Sequence, residues 1–268
     1  MNKDNIKTYF NCLIDDLEKN YVNLLLDFDE ESIHKFRVCY KKINALSQLP
    51  LFNKHSKFRF NKNIKHIYNL LGHLRDQQIL YTKLIDNLKY PPFNLYWFIH
   101  QLNRKNTKIK YLILLKKNKG LCNKSSDELL VNIKTNISKK KINKHIQLSI
   151  DKLNTVIMLN KFDDHILHDL RKKLKNLYYY FTLKCTNEFN ISSTLKYKVD
   201  DLAAISSKLG EIQDYFFQID ELNPRKLSKI PLEEIKMLQP IREEWINKKN
   251  MLKITLILEL KMLLTKVI

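Results

Sequence analysis

Apolar residues recur along this chain at intervals of three and four, the spacing that places them on one face of an α-helix. The stretches with this spacing lie at about 5–27, 32–48, 63–88, 93–117, 126–139, 141–158, 163–186 and 194–220. After Pro224 and Pro231 the pattern predicts a segment at about 232–239 and a last helix from Pro240 to the C-terminus. No stretch alternates strictly between apolar and polar residues as a half-buried strand would, so the chain is predicted to be all-α.

Two of the predicted helices carry a cationic face beside their apolar one. In the stretch 32–48 the apolar stripe is Ile33, Phe36, Tyr40 and Ile43. Steps of three and four residues return to one helical face, so a second face collects His34, Arg37, Lys41 and Gln48. In the stretch 163–186 the polar face holds His168, Arg171, Lys172 and Lys175. The acidic residues before the first helix, together with Ser32, are start signals for it.

These two faces belong to a two-part pattern that the chain carries twice. The first copy consists of His34, Arg37, Lys41 and Lys42, followed by Leu71-Gly72 with Arg75 and Asp76. The second consists of His168, Arg171, Lys172 and Lys175, followed by Leu209-Gly210 with Asp214. In both copies an Arg stands three places after the His and a Lys seven places after it.

The spacing of the two copies predicts an internal duplication. His34 and His168 are 134 positions apart and Gly72 and Gly210 are 138 apart, in a chain of 268 residues. We therefore expect two antiparallel four-helix-type bundles, residues 1–120 and 121–268, related by a pseudo-twofold axis. The two basic faces would then lie opposite each other, an arrangement that suits a long, symmetric, negatively charged ligand.

The charge of the chain indicates that this helical protein binds a polyanion. Lys and Arg number 48 against 28 acidic residues, which gives a net charge of +20. Such an excess attracts polyanions. Three of the few Arg residues, Arg37, Arg75 and Arg171, lie inside the repeated pattern. Arg binds phosphate oxygens with a planar fork that a Lys ammonium lacks, so these positions are predicted to contact a ligand.

The Gly and Asp residues of the second part are predicted to be structural support. Gly in a helix interior costs about 1 kcal/mol, so Gly72 and Gly210 should mark a close approach between helices. Asp76 and Asp214 should orient the neighbouring cations and should both stay ionised beside them. The run Tyr178-Tyr179-Tyr180 is predicted to pack in the core and at its edge.

Other chemistry is disfavoured by the sequence. The cysteines Cys12, Cys39, Cys122 and Cys185 are widely separated, as in reduced core residues rather than a disulfide or zinc framework. His165 and His168 are three apart and His66 and His73 seven apart, but neither pair has a third ligand at metal-binding spacing. The chain contains no nucleophile motif and no phosphate loop. We therefore expect no metal, no cofactor and no catalysis.

The repeated pattern resembles the conserved-histidine α-helical domain (CHAD) family. The likeness runs from about residue 5 to 265 and rests on four pieces in order. His34-x-x-Arg37-Val-x-x-Lys41-Lys42 resembles the family's first motif, and Leu71-Gly72-x-x-Arg75-Asp76 its companion. His168-x-Leu-Arg171-Lys172-x-Leu-Lys175-x-x-x-Tyr179 and Leu209-Gly210-x-x-x-Asp214 resemble the second pair. This chain departs from the family where it has Asn44, Asn176, Tyr178 and Gln213 at positions that are often basic.

The resemblance implies a single domain over residues 1–268 that binds inorganic polyphosphate at a basic surface between its halves. The predicted ligand contacts are His34, Arg37, Lys41, Lys42, Arg75, His168, Arg171, Lys172 and Lys175. Binding should weaken steeply with salt and strengthen as pH falls and the His side chains become charged. The expected location is the cytoplasm, on polyphosphate granules, because the N-terminus lacks a signal peptide and no run of eighteen apolar residues spans a membrane.

Two alternatives from other classes stay open. A helical RNA-binding protein would use the same charge, although the motif helices lack interleaved aromatic residues for base stacking. A polyphosphate hydrolase would need a cluster of metal-binding carboxylates, which the sequence does not present. Expected partners are therefore polyphosphate and, weakly and without specificity, nucleic acid, with no membrane partner, for a monomer or homodimer.

Overall fold

The computed structural model describes residues 3–52, 60–87, 95–115, 133–134, 138–184 and 199–265, and these form eight α-helices. The helices are α1 (Lys3–Asp27), α2 (Glu30–Leu46), α3 (Lys62–Asn87), α4 (Tyr96–Leu115), α5 (Lys139–Met158), α6 (Asp164–Lys184), α7 (Val199–Glu221) and α8 (Leu232–Thr265). The all-α prediction is confirmed, and the helices that the apolar spacing placed within these ranges agree with the structure to within a few residues.

Three details of the prediction are corrected. Within the predicted helix 126–139, Ile133 instead forms an isolated antiparallel bridge with Phe52, and most of that stretch lies outside the described residues. Helix α2 begins two residues before Ser32, because Asp29 is the N-cap and accepts a hydrogen bond from the Ser32 backbone N–H at 2.8 Å. Cys12 is exposed rather than a core residue, whereas Cys122 and Cys185 lie outside the described residues.

Pro240 does not start a new helix, since it lies inside α8. Proline lacks the N–H that would bond to the carbonyl of Lys236, and an interior proline normally breaks a helix. Here Pro240 and Lys236 are both exposed, so water can satisfy the freed carbonyl. On the opposite side Leu238, Ile241 and Trp245 are buried at steps of three and four, so packing holds both parts of the helix to one line.

Consecutive helices pack against each other within each half, and the two halves meet through their motif helices. Helix α2 packs against α6, and α3 packs against α7. These are the pairs that a pseudo-twofold arrangement of the two copies requires, although the duplication itself stays a prediction. The main hydrophobic core contains residues of all eight helices, with α4 and α8 contributing only their C-terminal parts, and a second core joins the C-terminal ends of α3 and α7 to α4 and α8. Both cores therefore contain residues from each half, and this fixes the two basic faces relative to each other.

Candidate functional site

The packing of α2 against α6 brings cations from the two halves together. Lys41 of α2 is surrounded by Arg37 of its own helix and by Arg171 and Lys175 of α6. Burial, together with these three cations, lowers the pKa of Lys41 to about 7, and Asp76 of α3 acts in the other direction. Burial and Arg171 likewise lower the pKa of Lys175. The predicted ligand residues of both copies thus form one cluster with a strong excess of positive charge.

The two glycines hold the motif arginines in place. A Cβ on Gly72 would lie 2.6 Å from Nη1 of Arg37, and a Cβ on Gly210 would lie 3.2 Å from Nη2 of Arg171. The expected close approach is therefore made by an Arg side chain lying on the helix backbone, in both copies, rather than by one helix axis against another. Nη1 of Arg37 also donates a hydrogen bond to the carbonyl oxygen of Tyr68 at 2.7 Å.

An aromatic stack supports Arg37 from the side. The ring of Tyr40 stacks with Phe60 at 4.3 Å and with Tyr68 at 4.1 Å between centroids, with the planes within 20° of parallel. The guanidinium carbon of Arg37 lies 4.6 Å from the centroid of the Tyr68 ring. A cation over an aromatic face is stabilised without loss of its charge. Burial raises the pKa of Tyr40 to about 12, so this phenol stays neutral.

A cleft of about 740 Å³ opens between α2, α3 and α6, and we call it the central cleft. Six cations line it: Lys41, Lys62, Lys65, Arg171, Lys172 and Lys175. The other lining residues are aromatic or carry amides: Tyr40, Asn44, Gln48, Phe60, Tyr68, Asn69, Asn176 and Tyr179. No acidic residue is among them. The arrangement is a concave site for an anion with several charges.

The two motif histidines lie at the margin of this cluster, and the pKa of each is lowered. Burial lowers the pKa of His34, and Arg75, Lys41 and Lys175 lower it further. Burial also lowers the pKa of His168, with Lys172 acting in the same direction, although a hydrogen bond of 2.8 Å between Nδ1 and Oε1 of Gln213 opposes the shift. Both rings are therefore neutral near pH 7 in the free protein and gain charge only below about 6.5.

Arg75 forms an ion pair with Glu30 at 3.4 Å, and each aspartate interacts with a motif arginine. Burial raises the pKa of Asp76, although Arg37 lowers it, and burial also raises the pKa of Asp214 against the effect of Arg171. Asp76 also raises the pKa of Asp214, which places the two carboxyls near each other across the halves. Burial therefore opposes the effect of the neighbouring cations on both aspartates, and the ionisation of the pair stays a prediction.

Five of the predicted contacts do not line the central cleft: His34, Arg37, Lys42, Arg75 and His168. The ammonium of Lys42 lies 5.3 Å from the Tyr9 ring of α1. Lys172 does line the cleft, but it is exposed and pairs with Asp169 at 3.2 Å. As predicted, Tyr179 and Tyr180 are buried.

Sequence reasoning missed two cations of the central cleft, Lys62 and Lys65. The signal was present, because steps of three and four lead from Lys62 through Lys65 and Asn69 to Gly72 on one face of α3. Within the described ranges no three His, Cys, Asp or Glu side chains are grouped so as to hold a metal ion. Nor does any helix there combine the length and apolar character needed to cross a membrane.

Comparison with known proteins agrees with this architecture. The CHAD domain family model matches residues 8–223. The crystal structure of the CHAD domain from the plant Ricinus communis is similar, with a TM-score of 0.72 and 16% identity, over 97% of this chain and 91% of that one. PptA from Streptomyces chartreusis has a TM-score of 0.61 and 10% identity, over 99% of this chain and 97% of its own. No curated protein matches the sequence. The family match over most of the chain shows that this protein belongs to the CHAD domain family.

Proposed function

We propose that this protein binds inorganic polyphosphate in the central cleft, without turning it over, and that it does so in the cytoplasm on polyphosphate granules. The observation that carries the proposal is the composition of the cleft wall, whose lining among the described residues includes six cations and no carboxylate. Such a wall is self-repulsive when empty, and a linear anion with about one charge per phosphate relieves the repulsion. Displacement of counterions by the cations then supplies the binding free energy.

The arginines favour a phosphate ligand over a general preference for anions. Arg171 lines the central cleft, and its buried Nε has no hydrogen-bond partner in the described part of the chain. Arg37 and Arg171 each lie against a glycine backbone in the neighbouring helix. A fixed guanidinium with its charge intact suits the bidentate geometry of phosphate oxygens.

The test is fluorescence anisotropy with labelled long-chain polyphosphate, with RNA and DNA as competitors at equal phosphate concentration. Polyphosphate should outcompete both by at least tenfold, and its affinity should fall steeply with salt. A quadruple Ala variant at His34, Arg37, His168 and Arg171 should lose that preference. If RNA and DNA compete equally and the variant binds as before, the net charge acts diffusely and the proposal fails.

Two variants that lose the same charge at different places distinguish binding in the central cleft from diffuse attraction by the net charge. Arg171→Gln/Lys175→Gln deletes two cations four residues apart in the cleft, and Lys140→Gln/Lys144→Gln deletes two at the same spacing on the exposed face of α5. Only the first should weaken polyphosphate binding strongly. Phosphate release, measured with and without Mg²⁺, should stay at background, and release above background would replace the binding role by a hydrolase.

A further inference from the structure

Helix α4 carries a second surface that the central cleft does not use. Its exposed side shows six residues at steps of three and four: Trp97, His100, Arg104, Lys108, Tyr111 and Leu115. At 100° per residue they lie within about 80° of the helix circumference. We call this row the α4 stripe. None of its members lines the central cleft.

The aromatic members of the stripe are unusually accessible. Trp97 is 53% exposed and Tyr111 is 60% exposed, whereas the second Trp of the chain, Trp245, is 1% exposed. Next to Trp97, the rings of Tyr96 and His100 stack at 6.2 Å with planes 19° apart. Fourteen residues separate Trp97 from Tyr111, which is about 21 Å along the helix axis. The stripe therefore has a ring at each end.

All charged side chains of α4 are positive. The helix has no Asp or Glu and carries Arg104, Lys105, Lys108 and Lys110. Lys105 pairs with Glu221 at 3.0 Å, but Arg104 and Lys108 pair with no carboxylate of the described residues. The carboxylate nearest the start of the helix, Glu234, is buried and accepts hydrogen bonds from the backbone N–H groups of Trp97 and Phe98. Two uncompensated cations thus lie between the rings of the stripe.

From this interleaving we propose that the α4 stripe binds single-stranded RNA, with bases stacking on Trp97 and Tyr111 and phosphates meeting Arg104 and Lys108. Exposed rings separated by cations are the means by which proteins hold unpaired bases and their backbone together. A membrane surface fits less well, because an interfacial helix presents a continuous apolar face. Here Arg104 and Lys108 divide the apolar residues into two groups.

The two tryptophans make the proposal directly measurable. Stacking of a base should quench the exposed Trp97, while the buried Trp245 reports whether the fold is intact. A labelled twelve-residue oligouridylate should quench the emission of the wild type and should give a saturable anisotropy signal. Polyphosphate has no rings, so its binding should leave the Trp97 emission much less changed.

Three variants separate the α4 stripe from the central cleft. Trp97→Ala/Tyr111→Ala keeps the charge and removes the rings, and RNA affinity should fall at least tenfold because stacking contributes about 1–3 kcal/mol per base. Arg104→Gln/Lys108→Gln should also weaken RNA binding, and the control Lys140→Gln/Lys144→Gln, with the same spacing and charge loss, should not. Polyphosphate affinity should stay within twofold in all three, so this proposal and the one for the cleft can fail separately.

Two results would overturn the proposal. If Arg171→Gln/Lys175→Gln abolishes RNA binding and the stripe variants leave it unchanged, RNA occupies the central cleft. If the stripe variants lose binding to phosphatidylserine vesicles in a flotation assay but keep their RNA affinity, the surface faces a membrane. Far-ultraviolet circular dichroism and the Trp245 emission show in each case that the variant is folded.

Discussion

Polyphosphate binding should be accompanied by uptake of a proton at Lys41. In the free protein this side chain is buried between Arg37, Arg171 and Lys175, and its pKa is lowered to about 7. The opposing carboxyl is Asp76, whose own pKa is raised by burial. A polyanion in the central cleft neutralises the three cations and favours the charged ammonium. The bound state therefore holds a proton at Lys41 that the free state gives up above pH 7.

The size of the effect follows from the pKa. At pH 8 about nine tenths of Lys41 is neutral in the free protein, so binding should take up about 0.9 proton, against about 0.1 proton at pH 6. Affinity should fall about tenfold from pH 6 to pH 8 on this account, and nearly tenfold again by pH 9. The stability of the free protein changes in the opposite direction. Because the unfolded chain keeps Lys41 protonated up to about 10.4, the free energy of unfolding rises with pH between about 7 and 10.4.

Isothermal titration calorimetry measures the proton count. Titrations with long-chain polyphosphate at pH 8 in HEPES and in Tris, which differ in ionisation enthalpy, give the number of protons taken up from the difference in apparent enthalpy. Long chains are used because only their terminal groups titrate near neutrality. In the free protein the pKa of each motif histidine is lowered, mainly by burial.

Two substitutions at Lys41 assign the proton. Lys41→Met should abolish most of the uptake, and Lys41→Arg should keep the affinity nearly constant between pH 7 and pH 9, because a guanidinium stays charged throughout that range. If the wild type takes up no proton at pH 8, or if Lys41→Met takes up as many as the wild type, the placement of Lys41 inside the ligand-binding cluster is wrong.

Three further outcomes follow from individual contacts. Gly72→Ala should weaken polyphosphate binding in the anisotropy assay, because the new Cβ would lie 2.6 Å from Nη1 of Arg37 and displace it. Gly210→Ala should have a smaller effect, since its closest contact is at 3.2 Å. Equal affinities for wild type and Gly72→Ala would contradict this. Glu234→Gln should lower the free energy of unfolding in urea by about 1–2 kcal/mol, because it loses charge-assisted bonds to the first turn of α4. Ion pairs with Lys226 and Lys105 lower the pKa of Glu221. Its contribution to the free energy of unfolding is therefore present above about pH 4.5 and disappears as the pH falls through the folded-state pKa. In Glu221→Gln the free energy of unfolding should depend less steeply on pH in this acid range.

The helices could be predicted from the sequence because one rule, the spacing of apolar residues, identifies the buried face of each helix. Spacing of three and four follows directly from packing one helical face, as the buried Ile33, Phe36, Tyr40 and Ile43 of α2 show. The continuity of α8 could not be predicted. It depends on Pro240 being exposed and on the second core, which joins residues distant in the chain.

The site was predictable where a residue repeats and was missed where it does not. Arg37 and Arg171 are at equivalent places in both copies, and both lie on a glycine. Lys62 and Lys65 have no counterpart in the repeated pattern, and only their spacing from Gly72 on one face of α3 distinguished them from the other lysines of a Lys-rich chain. The pKa of Lys41 was equally hidden, because it depends on how deeply α2 and α6 bury the side chain against each other.

The two glycines explain how the fold keeps a charged site charged. Asp76 interacts with Arg37, but the two side chains form no ion pair within 4.0 Å among the described residues. The backbone of Gly72 and the ring and carbonyl oxygen of Tyr68 position the guanidinium without adding a negative charge. The cost is that of a helix-interior glycine, about 1 kcal/mol in each copy, which is small beside the contribution of a charge-assisted bond to phosphate. A ligand entering the central cleft therefore meets the guanidinium of Arg171, which already lies on the Gly210 backbone.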